Sequence, residues 1–186
     1  AEMLLPTITS RCQVLRLRPL PVDQVQEALQ THWGTDPRQA RLLARVSNGR
    51  IGWAIDANSN DALLQDRDKY LIALEQVLQQ NRTERMILAQ QLSREASALP
   101  CLFELWQSWW RDLMLAKSGN EDALTNVDRE QTVHIEAGNY TLAQIRTCLH
   151  AIERAAKQVE HNVSPRVALE VLFLSMPRPS SEQSWG

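Results

Sequence analysis

The most informative stretch of the sequence lies near its start and reads Leu4-Leu5-Pro6-Thr7-Ile8-Thr9-Ser10-Arg11-Cys12-Gln13. Pro6 stands where a short helical turn would begin, because proline is favoured in the first turn of a helix. Arg11 follows just past the end of that turn, and Val14-Leu15-Arg16-Leu17 comes next as a short apolar run typical of a strand. We therefore predict a helical turn, an arginine at its end, and a strand.

This block resembles the Pro-Thr-Ile-x-Ser-Arg-Cys-Gln motif of bacterial clamp-loader subunits, the gamma/tau and delta-prime proteins of DNA polymerase III. In that family the arginine matching Arg11 is a trans-acting finger that reaches the phosphates of ATP bound to the neighbouring subunit. The chemistry suits arginine, because a guanidinium is always charged and binds phosphate oxygens through a planar fork. The other matching motif positions are Pro6, Thr7, Ser10 and Cys12.

Two later segments support the same resemblance. Asn162-Val163-Ser164-Pro165-Arg166-Val167-Ala168-Leu169-Glu170 is similar to the Asn-x-x-Pro-Arg-x-Ala-Leu-Glu ending of the clamp-loader collar. The segment from Trp109 to Gly119 is similar to the Trp-x-Arg-Asp-Leu helix of delta-prime chains. The resemblance implies an all-α chain with four parts. They are a remnant helix and strand of the AAA+ ATPase-like domain (1–19), a three-helix lid (20–60), a helical-bundle collar (61–176) and a disordered tail (177–186).

Helical signals in the residues themselves agree with a three-helix lid. Val22, Val25 and Leu29 recur at helical spacing, and Gly34 ends that helix. Asp36-Pro37 predicts a cap followed by proline at the first helical position. Ser47-Asn48-Gly49 breaks this second helix, and a third, short helix follows from Ile51.

The remaining residues predict a larger helical bundle. Apolar residues recur at helical spacing in five segments, with a polar connection at 119–132 between the third and the fourth. The segments run from Tyr70 to Leu78, Met86 to Leu92, Leu99 to Lys117, Leu142 to Val159 and Val167 to Leu174.

Three tryptophans mark the most apolar of these helices. Trp106, Trp109 and Trp110 stand at i, i+3 and i+4 and therefore share one helix face. A platform for stacking single-stranded DNA would place basic residues beside the aromatic rings. Here the neighbours are leucines and a phenylalanine, so a core or subunit-interface role is favoured. The predicted collar core or interface consists of Leu105, Trp106, Trp109 and Leu113.

Composition narrows the choice of function. The 186 residues carry a formal net charge of -2, which argues against a protein that coats DNA non-specifically. No apolar run approaches ~18 residues, so we predict no membrane span. The start of the chain lacks a signal-peptide pattern, and a cytoplasmic location is expected. The cysteines are three and widely spaced, which disfavours a disulfide framework, and Cys12 is interpreted as a small buried hydrophobic residue.

The same features argue against a catalytic centre within the chain. The histidines show no metal-ligand spacing, so no metal site is predicted. No segment matches G-x-x-x-x-G-K-[ST], so the chain is expected to be a C-terminal part that binds no nucleotide. We expect it to be non-catalytic alone and to belong, as a full protein, to the DNA-directed DNA polymerase III holoenzyme.

Arg50 distinguishes between the two related subunits. Lids of ATP-hydrolysing clamp-loader subunits carry a second-sensor arginine in a pattern like Gly-Ser-x-Arg-Asp-Ala. Alignment on Gly49 puts Gly52 at that place, and Arg50 stands two residues earlier. The resemblance therefore favours delta-prime, with the gamma/tau ATPase as the alternative, and Arg50 is expected to be solvated.

The implied function is assembly with the gamma/tau and delta subunits into a complex that loads the sliding clamp on primed DNA. ATP would be bound by neighbouring subunits, with no cofactor in this chain. An alternative from another class is a helical DNA-binding protein with residues 141–176 as a helix-turn-helix. The acidic balance of charge and the lack of a basic recognition face argue against it.

Overall fold

The computed structural model describes residues 18–177 together with Thr7, Ser10 and Arg11. Over these residues the chain is all-α, as predicted. Its helices are α1 (Val22–Trp33), α2 (Pro37–Val46), α3 (Ile51–Ser59), α4 (Ala62–Gln79), α5 (Arg82–Leu92), α6 (Leu99–Lys117), α7 (Glu130–Gly138), α8 (Leu142–Glu160) and α9 (Pro165–Ser175). Short 3-10 segments lie at Ser93–Ala98, Glu121–Ala123 and Val127–Arg129.

Several predictions fall outside the described residues. They concern Pro6, Cys12, the strand at 14–17 and the tail after Pro177. Within the described part, no helix combines the length and the apolarity needed to cross a lipid bilayer.

The ends of the first two helices follow their local chemistry. Gly34 adopts a left-handed conformation (φ 64°) after α1, which a glycine reaches without steric strain. The Asp36 side chain accepts from the backbone N–H groups of Arg38 and Gln39, and Pro37 begins α2. Both signals were predicted from the sequence, because each depends on residues close together in the chain.

Helices α1 to α3, the lid helices, surround a small core of their own, the lid cluster. Its fully buried residues are Val25, Leu29, Ala40, Leu43, Ala44, Ala54 and Ala57. Leu63 and Leu64, in the first turn of α4, also pack against the lid cluster. The boundary between lid and collar at residue 60 remains a prediction. The first turn of α4 lies beyond that boundary but contacts the lid helices.

Helices α4 to α9, the bundle helices, enclose the larger core around α6. Trp106 and Trp110 of α6 are fully buried, and the Trp106 ring packs 5.7 Å from that of Phe173. Trp106 Nε1 donates to the Tyr70 carbonyl at 2.9 Å, which satisfies the one polar atom of the indole. Burying rings of this size contributes several kcal/mol each, about 3–5 by truncation to alanine.

The segment after α6 is more structured than the sequence indicates. Predicted as a polar connection over 119–132, it contains two 3-10 turns and the start of α7. Leu124 is 1% exposed and Asn126 is fully buried, so the connection runs partly through the interior. Helix α7 was not predicted, because Val133 and Ala137 are its buried residues and they do not form a clear apolar stripe.

Candidate functional site

The turn around Arg11 is the first candidate site. Thr7 is helical and exposed, and Ser10 Oγ donates to the Thr7 carbonyl at 3.2 Å. Ser10 thereby acts as a local turn residue, and Arg11 follows it within the turn with its side chain exposed. A charged, exposed guanidinium at the end of a helical turn is able to bind an anion on another molecule. Pro6 and Cys12 of the same motif lie outside the described residues.

Residues 19 and 20, directly before the lid helices, contact the turn between α2 and α3. The Leu20 N–H donates to the Gly49 carbonyl at 2.9 Å. Gly49 has φ 79°, and a Cβ there would lie 2.6 Å from the Leu20 oxygen and 2.7 Å from Pro19 Cβ. Only glycine fits this position without displacing residues 19 and 20.

Asp112 of the Trp-x-Arg-Asp-Leu motif is fully buried and holds the connection after α6. Its carboxylate accepts from the Thr125 N–H at 3.0 Å, from the Asn126 N–H at 2.7 Å and from Asn126 Nδ2 at 2.8 Å. A carboxylate that accepts several hydrogen bonds can remain buried, because they replace the water it gives up. The motif aspartate therefore has a structural role within this chain.

Arg67 of α4 extends the same network. Its guanidinium forks onto Asp128 with two hydrogen bonds of 2.8 Å and donates to Asn126 Oδ1 at 2.8 Å. The side chain of Arg67 is 5% exposed. Asp112, Asn126 and Arg67 thus connect α6, the connection and α4 through polar groups in the interior.

The four predicted collar residues lie in or against the bundle core. Trp106 and Leu113 are fully buried, Trp109 is 3% exposed, and Leu105 is half-buried and packs against this core. Trp109 Nε1 donates to Glu136 Oε2 at 3.0 Å. Burial raises the pKa of the Glu136 carboxyl, although this hydrogen bond opposes the rise.

Asn162 in the Asn-x-x-Pro-Arg segment ends α8 in a left-handed conformation with φ 60°. The Val163 N–H donates to the Gln158 carbonyl at 2.9 Å, and the Asn162 N–H donates to the Val159 carbonyl at 3.1 Å. This pair of bonds is a Schellman motif, which closes the helix and satisfies its last carbonyls. Asparagine tolerates the left-handed region better than most residues, which explains its place here.

The rest of that segment starts α9. Pro165 occupies the first helical position, where its missing N–H is of no consequence. Ala168 and Leu169 are buried, while Arg166 Nε donates to Glu170 Oε1 at 2.7 Å on the outer side. Burial of Ala168 and Leu169 and the pairing of Arg166 with Glu170 account for most of the motif, with no ligand needed.

The comparisons with known proteins agree with these motifs. The chain is 28% identical over 179 residues to the DNA polymerase III subunit delta' of Bacillus subtilis (strain 168), and the alignment covers 94% of this chain. The chain is thus similar to a delta' subunit. It spans about half, 54%, of the length of the curated relative that it matches. No protein-family model matches the chain, and no solved structure matches it significantly.

Arg50 is half-exposed and is not simply solvated. Its side chain is 50% exposed, and its Nη1 lies 2.7 Å from Glu104 Oε2 on α6. Its Nε donates to the Ser47 carbonyl at 3.2 Å. The ion pair joins residues 54 positions apart, so no local pattern could predict it.

Within the described part of the chain, one group of three side chains could offer ligands to a metal ion. Atoms of Glu121, Glu130 and His134 lie within 4.8 Å of one another. Glu121 and Glu130 are exposed, and His134 Nε2 lies 3.6 Å from Glu121 Oε1. Exposed groups of this kind are common without an ion, so they give no positive reason to assign a metal.

The buried cysteine has no reactive character. Cys148 is fully buried in α8, and burial raises the pKa of its thiol to about 12. The thiolate is the reactive form of cysteine, so a thiol that keeps its proton packs as a small hydrophobic side chain.

Proposed function

We propose that this chain is the C-terminal part of a clamp-loader delta-prime subunit. The observation that carries the proposal is the similarity to a delta' subunit along 94% of the chain. On this proposal the chain assembles with gamma/tau and delta subunits, and the complex loads the sliding clamp on primed DNA in the cytoplasm. ATP is bound by neighbouring subunits and not by this chain.

Arg11 is, in this proposal, the arginine that reaches the ATP of a neighbour. Its motif and its exposed position in a turn support that role. Arginine fingers raise phosphoryl-transfer rates by roughly 10³–10⁵-fold in well-studied cases. The lid and the collar would place this finger within the assembled ring.

The surface of α9 supports assembly over DNA binding. Val167, Val171 and Leu174 recur at i, i+4 and i+7 and are 48%, 44% and 54% exposed. A recognition helix in a DNA groove would carry basic or polar side chains on its outer face. An apolar outer face is typical of a surface that packs against another protein.

The engagement of Arg50 supports delta-prime over the gamma/tau alternative. A second-sensor arginine must be free to contact nucleotide, whereas this guanidinium is bonded to Glu104 and to the Ser47 carbonyl. Since Gly52 stands at the sensor position, the lid offers no replacement there.

The test uses the full-length protein assembled with its partner subunits. Arg11→Ala should abolish most of the DNA-stimulated ATPase activity of the complex and leave assembly intact. Arg11→Lys should not restore activity, because a point charge does not reproduce the planar fork. The matched control is Arg18→Ala, which replaces a nearby exposed arginine. Complexes that carry this variant should hydrolyse ATP at the normal rate. Normal ATPase rates in both Arg11 variants would show that Arg11 is no finger.

A further inference from the structure

The turn between α2 and α3 contacts two distant parts of the molecule. On one side it contacts residues 19 and 20, through the Leu20 N–H to Gly49 carbonyl hydrogen bond of 2.9 Å. On the other side, two arginines that flank the turn reach the bundle helices. They are Arg45, in the last turn of α2, and Arg50, directly before α3.

Arg45 makes the stronger of these contacts. Its Nη1 donates to the Asp122 carbonyl at 2.6 Å and to the Leu124 carbonyl at 3.1 Å. A charged donor on two carbonyls, one of them partly buried, gives a stronger interaction than a neutral pair. The Arg50–Glu104 pair is about half-exposed on both sides and contributes about 0–1 kcal/mol, as surface pairs do.

The carbonyls that Arg45 binds are not on a free loop. The residues next to Leu124 are fixed by the Asp112 carboxylate, which accepts from the N–H groups of Thr125 and Asn126. Arg67 holds the same stretch from α4, through Asn126 and Asp128. The guanidinium of Arg45 therefore attaches the lid to a part of the bundle that is itself held from two helices.

The turn is also internally braced. Ser47 is fully buried, and its Oγ donates to the Ala44 carbonyl at 3.0 Å. The Ser47 carbonyl accepts from both the backbone N–H and Nε of Arg50. Any displacement of Arg45 or Arg50 therefore moves the backbone that contacts Leu20.

We propose that residues 45–50 form a junction that fixes residues 19 and 20, at the entry to the lid, relative to the bundle. Arg45 and Arg50 act as positioning residues: they set the orientation of the lid on the bundle, and Gly49 passes that orientation to residues 19 and 20. The importance of this for ATP chemistry rests on the proposed function. The geometric claim itself concerns this chain alone and is tested on it.

The first test measures the distance between the lid and the bundle. Spin labels are placed by Gln24→Cys on α1 and Gln90→Cys on α5, both exposed positions, after Cys12 and Cys101 are replaced by serine. Pulsed electron paramagnetic resonance should give one narrow distance distribution. Arg45→Ala combined with Arg50→Ala should remove that single narrow distance and give a broad or shifted one.

Two further variants keep this test decisive. Arg38→Ala combined with Arg41→Ala removes two exposed arginines from the same helix and should leave the narrow distance unchanged. Arg45→Met keeps most of the apolar stem if the alanine variant folds poorly, and it should broaden or shift the distribution because the Asp122 and Leu124 carbonyls lose their charged donor. A distribution that stays narrow at the original distance in a folded Arg45 variant overturns the proposal.

The second test isolates the contact with residues 19 and 20. Gly49→Ala and Gly34→Ala both place a Cβ at positive φ, 79° and 64°, but only the one at Gly49 meets other atoms within 4 Å. Hydrogen exchange of the Leu20 amide, followed by nuclear magnetic resonance, should be accelerated by Gly49→Ala and not by Gly34→Ala. Equal exchange of Leu20 in both variants contradicts the junction.

A third measurement separates the junction from the proposed function. The Arg45→Ala, Arg50→Ala variant is assembled with the clamp-loader partners, and its DNA-stimulated ATPase is compared with that of Arg11→Ala. Reduced activity in both supports the finger and the junction together. If the distance and exchange change as expected while Arg11→Ala is fully active, the junction stands and the proposed function fails.

Discussion

Removal of the Asp112 carboxylate is the sharpest test of the interior of this protein. Asp112→Ala would leave the N–H groups of Thr125 and Asn126 without their acceptor, and the Asn126 side-chain amide would keep its longer 3.3 Å hydrogen bond to Ser108 Oγ. A buried polar group left unsatisfied costs about 1–3 kcal/mol. These terms do not add fully, because the variant also no longer has to desolvate a carboxylate.

The net loss should therefore exceed the cost of one orphaned donor and reach about 2–4 kcal/mol. Urea unfolding followed by tryptophan fluorescence measures it, since Trp106, Trp109 and Trp110 lie on the same helix. Asp112→Asn keeps one acceptor oxygen but turns an N–H₂ group toward donors, so it should fall between wild type and alanine.

Arg111→Ala is the matched control for this measurement. It changes the neighbouring charged residue, which is exposed, and should shift stability by no more than about 0.5 kcal/mol. An Asp112→Ala protein within about 1 kcal/mol of wild type would refute the view that the connection depends on this carboxylate, since even one orphaned buried donor should cost that much.

Two further predictions concern single positions. Asn162→Val should lower stability by about 1–2 kcal/mol, because a β-branched residue is strained at φ 60°, whereas Asn162→Gly should be neutral or slightly stabilising in the same thermal unfolding experiment. Burial raises the pKa of Glu136 above its ordinary value of 4.5. The protonated carboxyl therefore contributes to stability when the pH is below 4.5, and this contribution is lost as the pH rises through the pKa of the folded state. Glu136→Gln cannot ionise and can still accept from Trp109, so its advantage over wild type should grow from acid to neutral pH, and a pH-independent difference would contradict this.

Local signals account for the parts of the fold that the sequence predicts well. The predicted helix from Leu99 to Lys117 has those bounds, and Gly34 and Asp36 stand at helix ends as expected. Each of these depends on residues within one turn of one another. The capping box at the start of α5, which Asn81 forms with Glu84, was not predicted.

Polar contacts between distant segments could not be predicted. Arg67 lies 61 residues from Asp128, and Arg45 lies 77 residues from Asp122. Charged side chains on a helix usually face solvent, so burial of Arg67 carries no periodic signal. The sequence of the connection at 119–132 is polar for a related reason. Two of its polar residues, Asn126 and Asp128, are the groups that fix it in place.

The three family-like segments differ in how far the chain itself explains them. Asp112 is required by two backbone N–H groups, and Asn162 by the left-handed turn that ends α8. Both residues have a structural role in this chain, so their presence supports the architecture more than a mechanism. Arg11, by contrast, is exposed, so burial gives no reason for an arginine there. In the proposed function its role is a contact on another molecule, which is why Arg11 and not the collar motifs decides whether that proposal is right.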